Sequence, residues 1–263
     1  MSLIYPLGCL PDHKDDRDYK LDHPTAKQSI QLAFEAQEAA RCGQEFTAVD
    51  IPVKRPVRTQ VGNSCVANAW CMAVEILSDN SAHRSSNTQL SSQHLYWCAR
   101  HYEGRQDKDE GTQIRLGAKV FANIGVCPEQ DWPDSYEHIC EQPPASAFVH
   151  AYDAKIQHYY RASNLFDVEY ALRAWHPVVI GIPVGQEFFQ YQGQQAQSVL
   201  SPPRNIVGYH AVCVVGLRCG EQGREWKIVN SWGSAWGWGG FAILNEEYMH
   251  TALDMWVATA PPF

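Results

Sequence analysis

The pattern of apolar residues changes near the middle of this chain, and that change constrains the fold more than any other feature. In the first half, apolar residues recur at helical spacing, whereas the second half holds short apolar runs bounded by Gly, Pro and Asn. Helical spacing buries one face of a helix, and short bounded runs are typical of strands. The sequence therefore predicts an α+β fold of two lobes, with a cleft between them. We expect a helical N-terminal lobe over about 60–150 and an antiparallel β-sheet or barrel lobe over about 151–263.

Four segments of the body have the spacing of helices. In the segment that follows Cys65, apolar residues cover most of the circumference, which is typical of a central, buried helix. A later segment begins from Asn164, a residue type that favours helix N-termini. The predicted helices span residues 65–78, about 90–101, 112–124 and 165–175.

Five segments of the second half have the composition of strands. They are short, apolar and separated by turn-forming residues. The predicted strands span residues 177–184, 209–217, 225–232, 239–245 and 254–259.

Residues 1–50 are expected to form an N-terminal arm ahead of the globular body at 51–263. The stretch 1–25 is polar, interrupted by proline and carries the charged run "DHKDDRDYK" at 12–20, so it is not expected to fold alone. Residues 26–43 are predicted to form a short helix that ends at Gly43.

Charge and cysteine spacing exclude several classes of partner. The chain has a formal net charge of −8 and no stretch rich in Lys or Arg, so neither nucleic acid nor an anionic membrane is expected to bind. Its longest apolar runs, such as 177–184, are too short to span a bilayer. The nine cysteines are scattered without a C-x-x-C motif, so no metal or other cofactor is expected. We expect a monomer.

The compartment stays open at this point. The opening residues lack the basic region and the long apolar core of a secretory signal. Reduced cysteines in a cytosolic protein are compatible with the sequence, and so are a few disulfides beside one reactive thiol.

Three residues suggest nucleophilic catalysis when they are taken together. Cys65 begins a predicted helix, and a helix N-terminus with a nearby imidazolium lowers a thiol pKa. His210 lies at the head of an apolar strand, and Asn230 ends the next strand about 20 residues later. Two neighbouring strands that end in His and Asn can place the amide oxygen on one imidazole nitrogen, which turns the other nitrogen toward a sulfur.

Three blocks in this order resemble the papain-like cysteine peptidases. They are "SCVANA" at 64–69, "YHAVCVVG" at 209–216 and "NSWGSAWGWGGFAIL" at 230–244, of which the last is the most specific. The stretches "LPDHKDDRDY", "LSSQHLYWCAR" and "DEGTQIRLGAKVFANIGVCPEQDWP" resemble the bacterial-type branch of that family. The resemblance extends over essentially the whole chain and implies a cysteine endopeptidase of papain-like two-lobe fold.

The resemblance implies a role for each catalytic residue. Cys65 would be the nucleophile, His210 the general base and acid, and Asn230 the residue that orients the imidazole. Gln60 would supply the side-chain donor of the oxyanion hole, beside the Cys65 backbone N–H. A peptide substrate in extended conformation would be cleaved through a thioester acyl-enzyme.

The resemblance also implies residues that contact the substrate. Gly111 would lie beside the substrate backbone, where a side chain would obstruct binding. Trp232 would shield the His–Asn bond from water, and Trp236 would form an apolar wall on the leaving-group side. Tyr209 and Met255 are expected to line the main specificity pocket.

The sequence departs from papain at two positions before the nucleophile. Gln60 lies five residues before Cys65, whereas the family's glutamine lies six before its cysteine, so the intervening turn is one residue shorter. Gly62 replaces a cysteine, so one family disulfide is absent. Either the turn is tighter and Gln60 still reaches the site, or the oxyanion hole is impaired.

Two alternatives to hydrolysis remain open from the motifs. The same triad catalyses acyl transfer, as in peptide ligation or transamidation, when an amine intercepts the acyl-enzyme. A peptide-binding homologue with an impaired site would explain the short turn without any cleavage.

The arm also has two interpretations. It either straps the two lobes together, or part of residues 1–25 lies near or across the cleft and restrains peptide entry. Its few apolar residues, Leu7, Leu10, Tyr19 and Leu21, are expected to anchor it on the body.

Overall fold

A computed structural model describes residues 5–24, 26, 28, 30–31, 34–35, 48–80, 88–193, 198–220 and 223–259. The fold is α+β, with helices in the N-terminal part and an antiparallel sheet in the C-terminal part, as the apolar pattern predicts. Among the described residues, no helix combines the length and hydropathy needed to cross a bilayer.

Seven α-helices lie wholly within the described residues, and four of them match the predicted segments within two residues at each end. Helix α1 is Cys65–Asp79, α2 is Ser92–His101, α3 is Ile114–Asn123, α4 is Ala145–Ala151, α5 is Leu165–Arg173, α6 is Gln186–Phe189 and α7 is Glu246–Met249. Short 3₁₀ turns occupy Glu129–Asp131 and Tyr152–Ala154. In the predicted helix at 26–43, the described residues up to 35 are helical, and the remainder, with Gly43, lies outside the described residues.

The strands form two sheets. A two-stranded parallel sheet joins β1 (Cys9–Leu10) to β3 (Thr112–Gln113). The larger sheet is built from β2 Ala48–Asp50, β4 His158–Arg161, β5 Val178–Val184, β6 Val199–Leu200, β7 Gly208–Gly220, β8 Gly223–Val229, β9 Phe241–Asn245 and β10 Met255–Thr259. Its strand order is β4-β10-β5-β7-β8-β9-β6, and β2 pairs with β7.

All five predicted strands are present, whereas five further short strands were not predicted. The sequence-based prediction missed β1, β2, β3 and β6, which have two or three residues each, as well as the four-residue β4. Segments this short do not show a recognisable period, and their strand geometry depends on a partner elsewhere in the chain.

Helix α1 packs against the central strands of the large sheet. Its residues from Cys65 to Ala73 are all buried, as the apolar pattern predicts. The indole Nε1 of Trp70 donates a 2.8 Å hydrogen bond to the Ile114 carbonyl oxygen, which ties α1 to the start of α3. This packing holds the N-terminal end of α1 beside strand β7.

Strand β7 brings distant parts of the second half together. It pairs antiparallel with β5, which places Ile182 opposite His210 and Gly181 opposite Ala211. It also pairs antiparallel with β8, with Cys213 opposite Val229, so the end of β8 returns to the head of β7. Asn230, which follows β8, therefore reaches His210.

Candidate active site

Cys65 is the first residue of helix α1 and lies at the interface between the sheet and the N-terminal arm. The hydroxyl of Ser64 donates a 2.7 Å hydrogen bond to the Val61 carbonyl instead of capping the helix. The Cys65 sulfur receives backbone hydrogen bonds from Ala211 and from Gly8. The thiol thus lies beside the residue that follows His210 and also contacts the arm.

The Cys65 thiol is protonated in this arrangement. Its side chain is fully buried, and burial raises its pKa to about 12, while the backbone hydrogen bonds from Ala211, Gly8 and Val66 act in the opposite direction. The backbone N–H groups of Cys65 and Val66 at the helix N-terminus lower this pKa, as expected, but burial raises it by more. Loss of hydration destabilises a buried thiolate by more than the helix terminus stabilises it.

The imidazole of His210 is oriented by Asn230. The distance from His210 Nε2 to Asn230 Oδ1 is 2.7 Å, and both side chains are fully buried. The backbone N–H of Ser231 also donates to Asn230 Oδ1, at 2.7 Å, which identifies that atom as the amide oxygen. An oxygen can only accept, so Nε2 of His210 must carry the proton.

This tautomer leaves Nδ1 of His210 as the basic nitrogen. Nδ1 is buried and has no hydrogen-bond partner among the described residues. Burial lowers the pKa of the imidazole to about 4, and the hydrogen bond to Asn230 acts in the opposite direction. The closed site therefore holds a neutral thiol and a neutral imidazole at neutral pH.

Aromatic rings enclose the His–Asn pair. The Trp232 ring lies 4.5 Å from the His210 ring, centroid to centroid, and Trp236 packs at 90° against Trp232 at 5.6 Å. Trp236 is held in turn by a 3.0 Å hydrogen bond from its Nε1 to the Phe188 carbonyl. Phe188 contacts both His210 and Trp232 edge-on. The His–Asn pair is therefore buried beside these rings, and the shielding role that the resemblance implies for Trp232 stays a prediction.

The side chain of Gln60 is held with its amide nitrogen toward the cleft. Its backbone N–H donates to the Ser231 carbonyl at 2.7 Å, and its Oε1 accepts from the Ser231 hydroxyl at 2.7 Å. Its Nε2 donates to the carbonyls of Gly62, at 3.0 Å, and of Pro6, at 3.2 Å. These contacts are compatible with the alternative in which Gln60 still reaches the site, and its role as an oxyanion donor stays a prediction.

Gly62 makes the short turn possible. It has a φ of +57°, a conformation that side-chain-bearing residues rarely adopt, and a Cβ there would lie 2.6 Å from Asp109 Oδ2. Asp109 Oδ1 accepts hydrogen bonds from the Asn63 backbone N–H at 3.0 Å and from the Tyr96 hydroxyl at 2.7 Å. Asp109 therefore braces the turn before Cys65.

The backbone of the arm passes directly beside Gly111, whose contact with a substrate backbone stays a prediction. Gly111 has a φ of +83°, and a Cβ on it would lie 2.3 Å from the Gly8 carbonyl oxygen. The backbone N–H of Thr112 donates to that same Gly8 oxygen at 2.9 Å. The strand pair Cys9–Leu10 with Thr112–Gln113 continues this contact in parallel orientation.

The arm also covers the other side of the site. The Tyr5 ring stacks on Trp232 with centroids 4.4 Å apart and planes inclined by 7°, and Phe189 stacks nearly parallel to both. Leu7 approaches Gly208, since a Cβ on Gly208 would lie 2.6 Å from Leu7 Cδ1. Residues 5–10 thus extend from the ring of Trp232 to the backbone of Thr112.

Tyr209 and Met255 are half-buried and pack against the core. Tyr209 lies opposite Pro183 in the register of β5 and β7, and Met255 lies opposite Ile180 in that of β5 and β10. Both flank the segment of β5 that contains Gly181, next to the arm. Their role in a specificity pocket stays a prediction.

Sequence analysis missed two residues that position the site, Ser231 and Asp109, and it did not predict which arm residues meet Cys65 and Gln60. Ser231 belongs to the quoted "NSWG" block, which was a usable signal, although its partner Gln60 lies 171 residues away. The contacts of Asp109 and of Gly8 depend on tertiary packing, for which the sequence offers no local pattern.

Comparison with known proteins agrees with the family resemblance found in the sequence. The sequence pattern that defines the papain family of cysteine proteases matches residues 48–258. An uncharacterized peptidase C1-like protein of Acanthamoeba polyphaga mimivirus is 27% identical over 261 residues, which cover 94% of this chain and 80% of that protein. Macrodontain-1 of Ananas macrodontes is 28% identical over 149 residues, 55% of this chain, and the chain spans 63% of its length.

A solved structure supports the same fold. Xylellain, a cysteine protease from Xylella fastidiosa, superposes with a TM-score of 0.78 and 25% identity. The superposition covers 98% of this chain and 97% of xylellain. This similarity supports the bacterial-type branch that the sequence motifs indicate.

Proposed function

The chain belongs to the papain family of cysteine proteases, and from that premise we propose that it is an endopeptidase that uses Cys65, His210 and Asn230 as a catalytic triad. The observation that carries the proposal is the 2.7 Å hydrogen bond from His210 Nε2 to Asn230 Oδ1. That bond leaves Nδ1 of His210 buried and without a described partner. The Cys65 sulfur contacts Ala211, the residue after His210, and a thiol near such a base is deprotonated when the imidazole accepts its proton.

The first chemical step is attack by sulfur. Nδ1 of His210 accepts the Cys65 proton, and the thiolate attacks the carbonyl carbon of an extended peptide. Asn230 stabilises the imidazolium that results, because its oxygen accepts the Nε2 proton in either charge state. The Trp232 ring keeps water away from this hydrogen bond, which strengthens it.

Attack moves negative charge onto the carbonyl oxygen. Nε2 of Gln60 is the side-chain donor proposed for this oxyanion, with the Cys65 backbone N–H as the second donor. The hydroxyl of Ser231 holds Oε1 of Gln60, so the donor is oriented before the substrate arrives. A preoriented donor contributes most, since no reorganisation is needed during the reaction.

The remaining steps release both products. The imidazolium of His210 donates its proton to the leaving amine, and a thioester with Cys65 remains. Water then enters, His210 removes a proton from it, and attack on the thioester liberates the acid and restores the thiol. Every proton passes through Nδ1 of one imidazole.

The test combines an active-site probe with a substitution. An epoxide probe should label Cys65, and Cys65→Ala should abolish both labelling and peptide cleavage while the fold survives. Cys65→Ser should be nearly inactive, because a hydroxyl does not ionise as a thiol does. Cleavage by Cys65→Ala at the wild-type rate would exclude this mechanism.

Product analysis separates hydrolysis from acyl transfer. With an added amine nucleophile, an endopeptidase yields mainly the free acid, whereas a transferase yields mainly the new amide. A peptide-binding homologue with an impaired site would bind the peptide and yield neither product.

We further propose that the N-terminal arm closes the cleft of the peptidase domain at 51–263. The Pro6 carbonyl occupies the Gln60 donor, the Gly8 backbone contacts the Cys65 sulfur, and Tyr5 covers Trp232. A substrate carbonyl needs the donor and the sulfur that the arm now contacts. Because the arm is tethered, weak contacts are enough to hold it there.

A buried charge cluster anchors the arm beyond the cleft. The Asp12 carboxylate accepts hydrogen bonds from Trp256 Nε1 at 2.6 Å and from the Arg115 backbone N–H at 3.1 Å. Arg161 lies 3.4 Å from Asp12 and 2.6 Å from Asp254, whose carboxylate also accepts the Asp12 backbone N–H at 2.9 Å. Such fully partnered buried groups are costly to disrupt one at a time.

A further inference from the structure

A second thiol lies inside the covered cleft. Cys9 follows Gly8 in the arm and is 5% exposed. Its sulfur lies 2.8 Å from the position that a Cβ on Gly181 would occupy, and Ile114 borders the same position at 3.2 Å. Gly181 therefore leaves the space that the Cys9 side chain fills.

The sheet register brings this thiol close to the proposed nucleophile. Gly181 on β5 pairs directly with Ala211 on β7. The sulfur of Cys9 lies against Gly181, and the sulfur of Cys65 receives a backbone hydrogen bond from Ala211. The two sulfurs thus lie against opposite members of one cross-strand pair.

The arm backbone gives a second, independent link. Gly8 hydrogen-bonds to the Cys65 sulfur, and Cys9 is the next residue, about 3.8 Å away along the chain from Cα to Cα. Burial raises the pKa of the Cys9 thiol, and the neighbouring Cys65, Asp12 and Asp254 raise it further. Cys9 is therefore a protonated thiol held beside Cys65 while the arm is docked.

We propose that Cys9 is a resolving thiol for Cys65, so that oxidation of the nucleophile by a peroxide ends in a reversible Cys9–Cys65 disulfide. The inference rests on the proposed function in one respect, since it requires Cys65 to form a thiolate when the cleft is open. The Cys9–Cys65 disulfide would fasten the arm across the site covalently.

The chemistry balances in two steps. The Cys65 thiolate attacks one oxygen of hydrogen peroxide, which gives a sulfenic acid at Cys65 and releases hydroxide. The sulfur of Cys9 then attacks the sulfenic sulfur, the S–O bond breaks, and hydroxide leaves with the Cys9 proton as water. Sulfur loses two electrons overall and the peroxide gains them.

The order of events follows from burial. Cys65 is fully covered and protonated while the arm is docked, so the closed form is protected from oxidation. Oxidation takes place when the arm has left the cleft. When the arm returns through its Asp12 anchor, it delivers Cys9 to the sulfenic acid before a second peroxide can oxidise it to the irreversible sulfinic acid.

Other thiols are placed less well for this reaction. All eight cysteines of the described residues are unpaired, and Cys42 lies outside those residues. Cys71, although also on α1, is buried near Arg58 and Glu75, and Cys219 is exposed at the far end of β7. Cys219 therefore offers a matched control for non-specific thiol oxidation.

The experiment maps the disulfide in the full chain. Reduced protein is treated with hydrogen peroxide at neutral pH, free thiols are blocked with N-ethylmaleimide, and peptides are identified by mass spectrometry without reduction. We expect a peptide pair that joins Cys9 to Cys65, lighter than the sum of its two reduced peptides by two hydrogens. Thiol treatment should restore most of the lost peptidase activity.

Two variants make the result specific. Cys9→Ser should form no disulfide at Cys65, should accumulate sulfinic acid there, and should not regain activity with thiol, measured against its own reduced activity. Cys219→Ser should form the Cys9–Cys65 pair as the wild type does. A wild-type protein in which Cys65 pairs with another cysteine, or reaches sulfinic acid as fast as in Cys9→Ser, would overturn the inference.

The outcomes separate this inference from the proposed function. If the disulfide forms and reverses but no reduced protein cleaves any peptide, the resolving thiol stands and the peptidase mechanism fails. If reduced protein cleaves peptides and no Cys9–Cys65 pair forms, the mechanism stands and the resolving thiol fails.

Discussion

The hydroxyl of Ser231 donates a 2.7 Å hydrogen bond to Oε1 of Gln60, across 171 residues of chain. Both side chains are buried, and the Gly62 and Pro6 carbonyls, which can only accept, identify the other end of the Gln60 amide as the nitrogen. We expect departure of the arm to free this nitrogen from the Pro6 carbonyl, so that it can donate to a substrate. A shortened turn before Cys65 is compatible with an oxyanion donor because Gln60 is held from the opposite lobe.

Gln60→Ala should lower kcat by roughly 10²–10³ if its amide stabilises the oxyanion. The measurement belongs in protein that lacks residues 2–20, because Gln60 also binds the arm. The rate of Cys65 alkylation should stay close to that of the parent, since alkylation builds no carbonyl oxyanion.

Ser231→Ala is the matched control for the orientation of Gln60. It keeps the donor but removes the bond that orients it, so kcat should fall by less than in Gln60→Ala. An unchanged kcat in Gln60→Ala would mean that another group serves as the donor.

Deletion of residues 2–20 should raise kcat/KM for small peptides. The deletion frees the Gln60 donor, the Cys65 sulfur and the Trp232 face together. Steady-state cleavage of a fluorogenic peptide measures the change. If kcat/KM stays the same and only the melting temperature falls, the arm is a strap and not a gate.

Arm removal should also change the pH profile of Cys65 alkylation. Burial holds the thiol pKa at about 12 and the His210 pKa at about 4 in the closed form, so the full chain should react slowly at neutral pH. When arm removal exposes Cys65 and His210 to water, the thiol pKa falls and the imidazole pKa rises. A thiolate–imidazolium pair then forms in the pH range between the two pKa values.

The truncated protein should therefore show a kcat/KM that is bell-shaped in pH, with limbs that belong to the coupled pair. Iodoacetamide kinetics at a series of pH values measure the thiolate directly. If the alkylation rate of the truncated protein simply rises with pH, with a midpoint at about pH 8.5 as for an isolated thiol, no ion pair exists.

Arm docking should weaken as the pH rises through about 6. Burial raises the pKa of Asp12 from 3.8 to about 6, and the neighbouring Asp254 raises it further, against hydrogen bonds from Arg115 and Trp256. The docked arm therefore binds a proton more tightly than the free arm. The contribution of Asp12 protonation to the free energy of docking is fully present below about pH 4 and is lost as the pH rises past about 6.

The ratio of kcat/KM between truncated and full-length protein reports this effect, because the open form carries out the cleavage in both proteins. The ratio should fall by up to roughly 100-fold between pH 4 and pH 7, as a shift of two pKa units allows. Asp12→Asn, which keeps the shape without the titration, should flatten the ratio across that range. A ratio that rises with pH in the wild type would give the opposite sign and contradict the assignment to Asp12.

Local sequence patterns were sufficient to predict the helix and the two strands that carry the proposed triad. Helix α1 follows from a run of apolar residues after Ser64, and β7 and β8 follow from two apolar runs with turn residues between them. Each of these signals lies within one segment, where period and capping act. The order of the motifs then identified Cys65, His210 and Asn230 as candidates.

The protonation states did not follow from local patterns. A helix start at Cys65 favours a thiolate, yet the covered thiol is neutral because burial outweighs the helix terminus. Burial depends on which residues pack over the thiol. One of them here is Gly8, which lies 57 positions before Cys65 in the chain. A two-residue strand such as Cys9–Leu10 has no period of its own and forms only because Thr112–Gln113 offers an edge.

By itself, the sequence determined the α+β class, the main helices and strands, the family resemblance and the three candidate catalytic residues, because these depend on period, on capping and on motif order. Only the tertiary structure decided that Ser231 orients Gln60, that Asp109 braces the turn before Cys65, and that Gly8 and Cys9 lie against the nucleophile. The physical reason is that these contacts join segments tens to hundreds of residues apart. Sheet register and packing set such contacts, and neither leaves a local pattern in the chain.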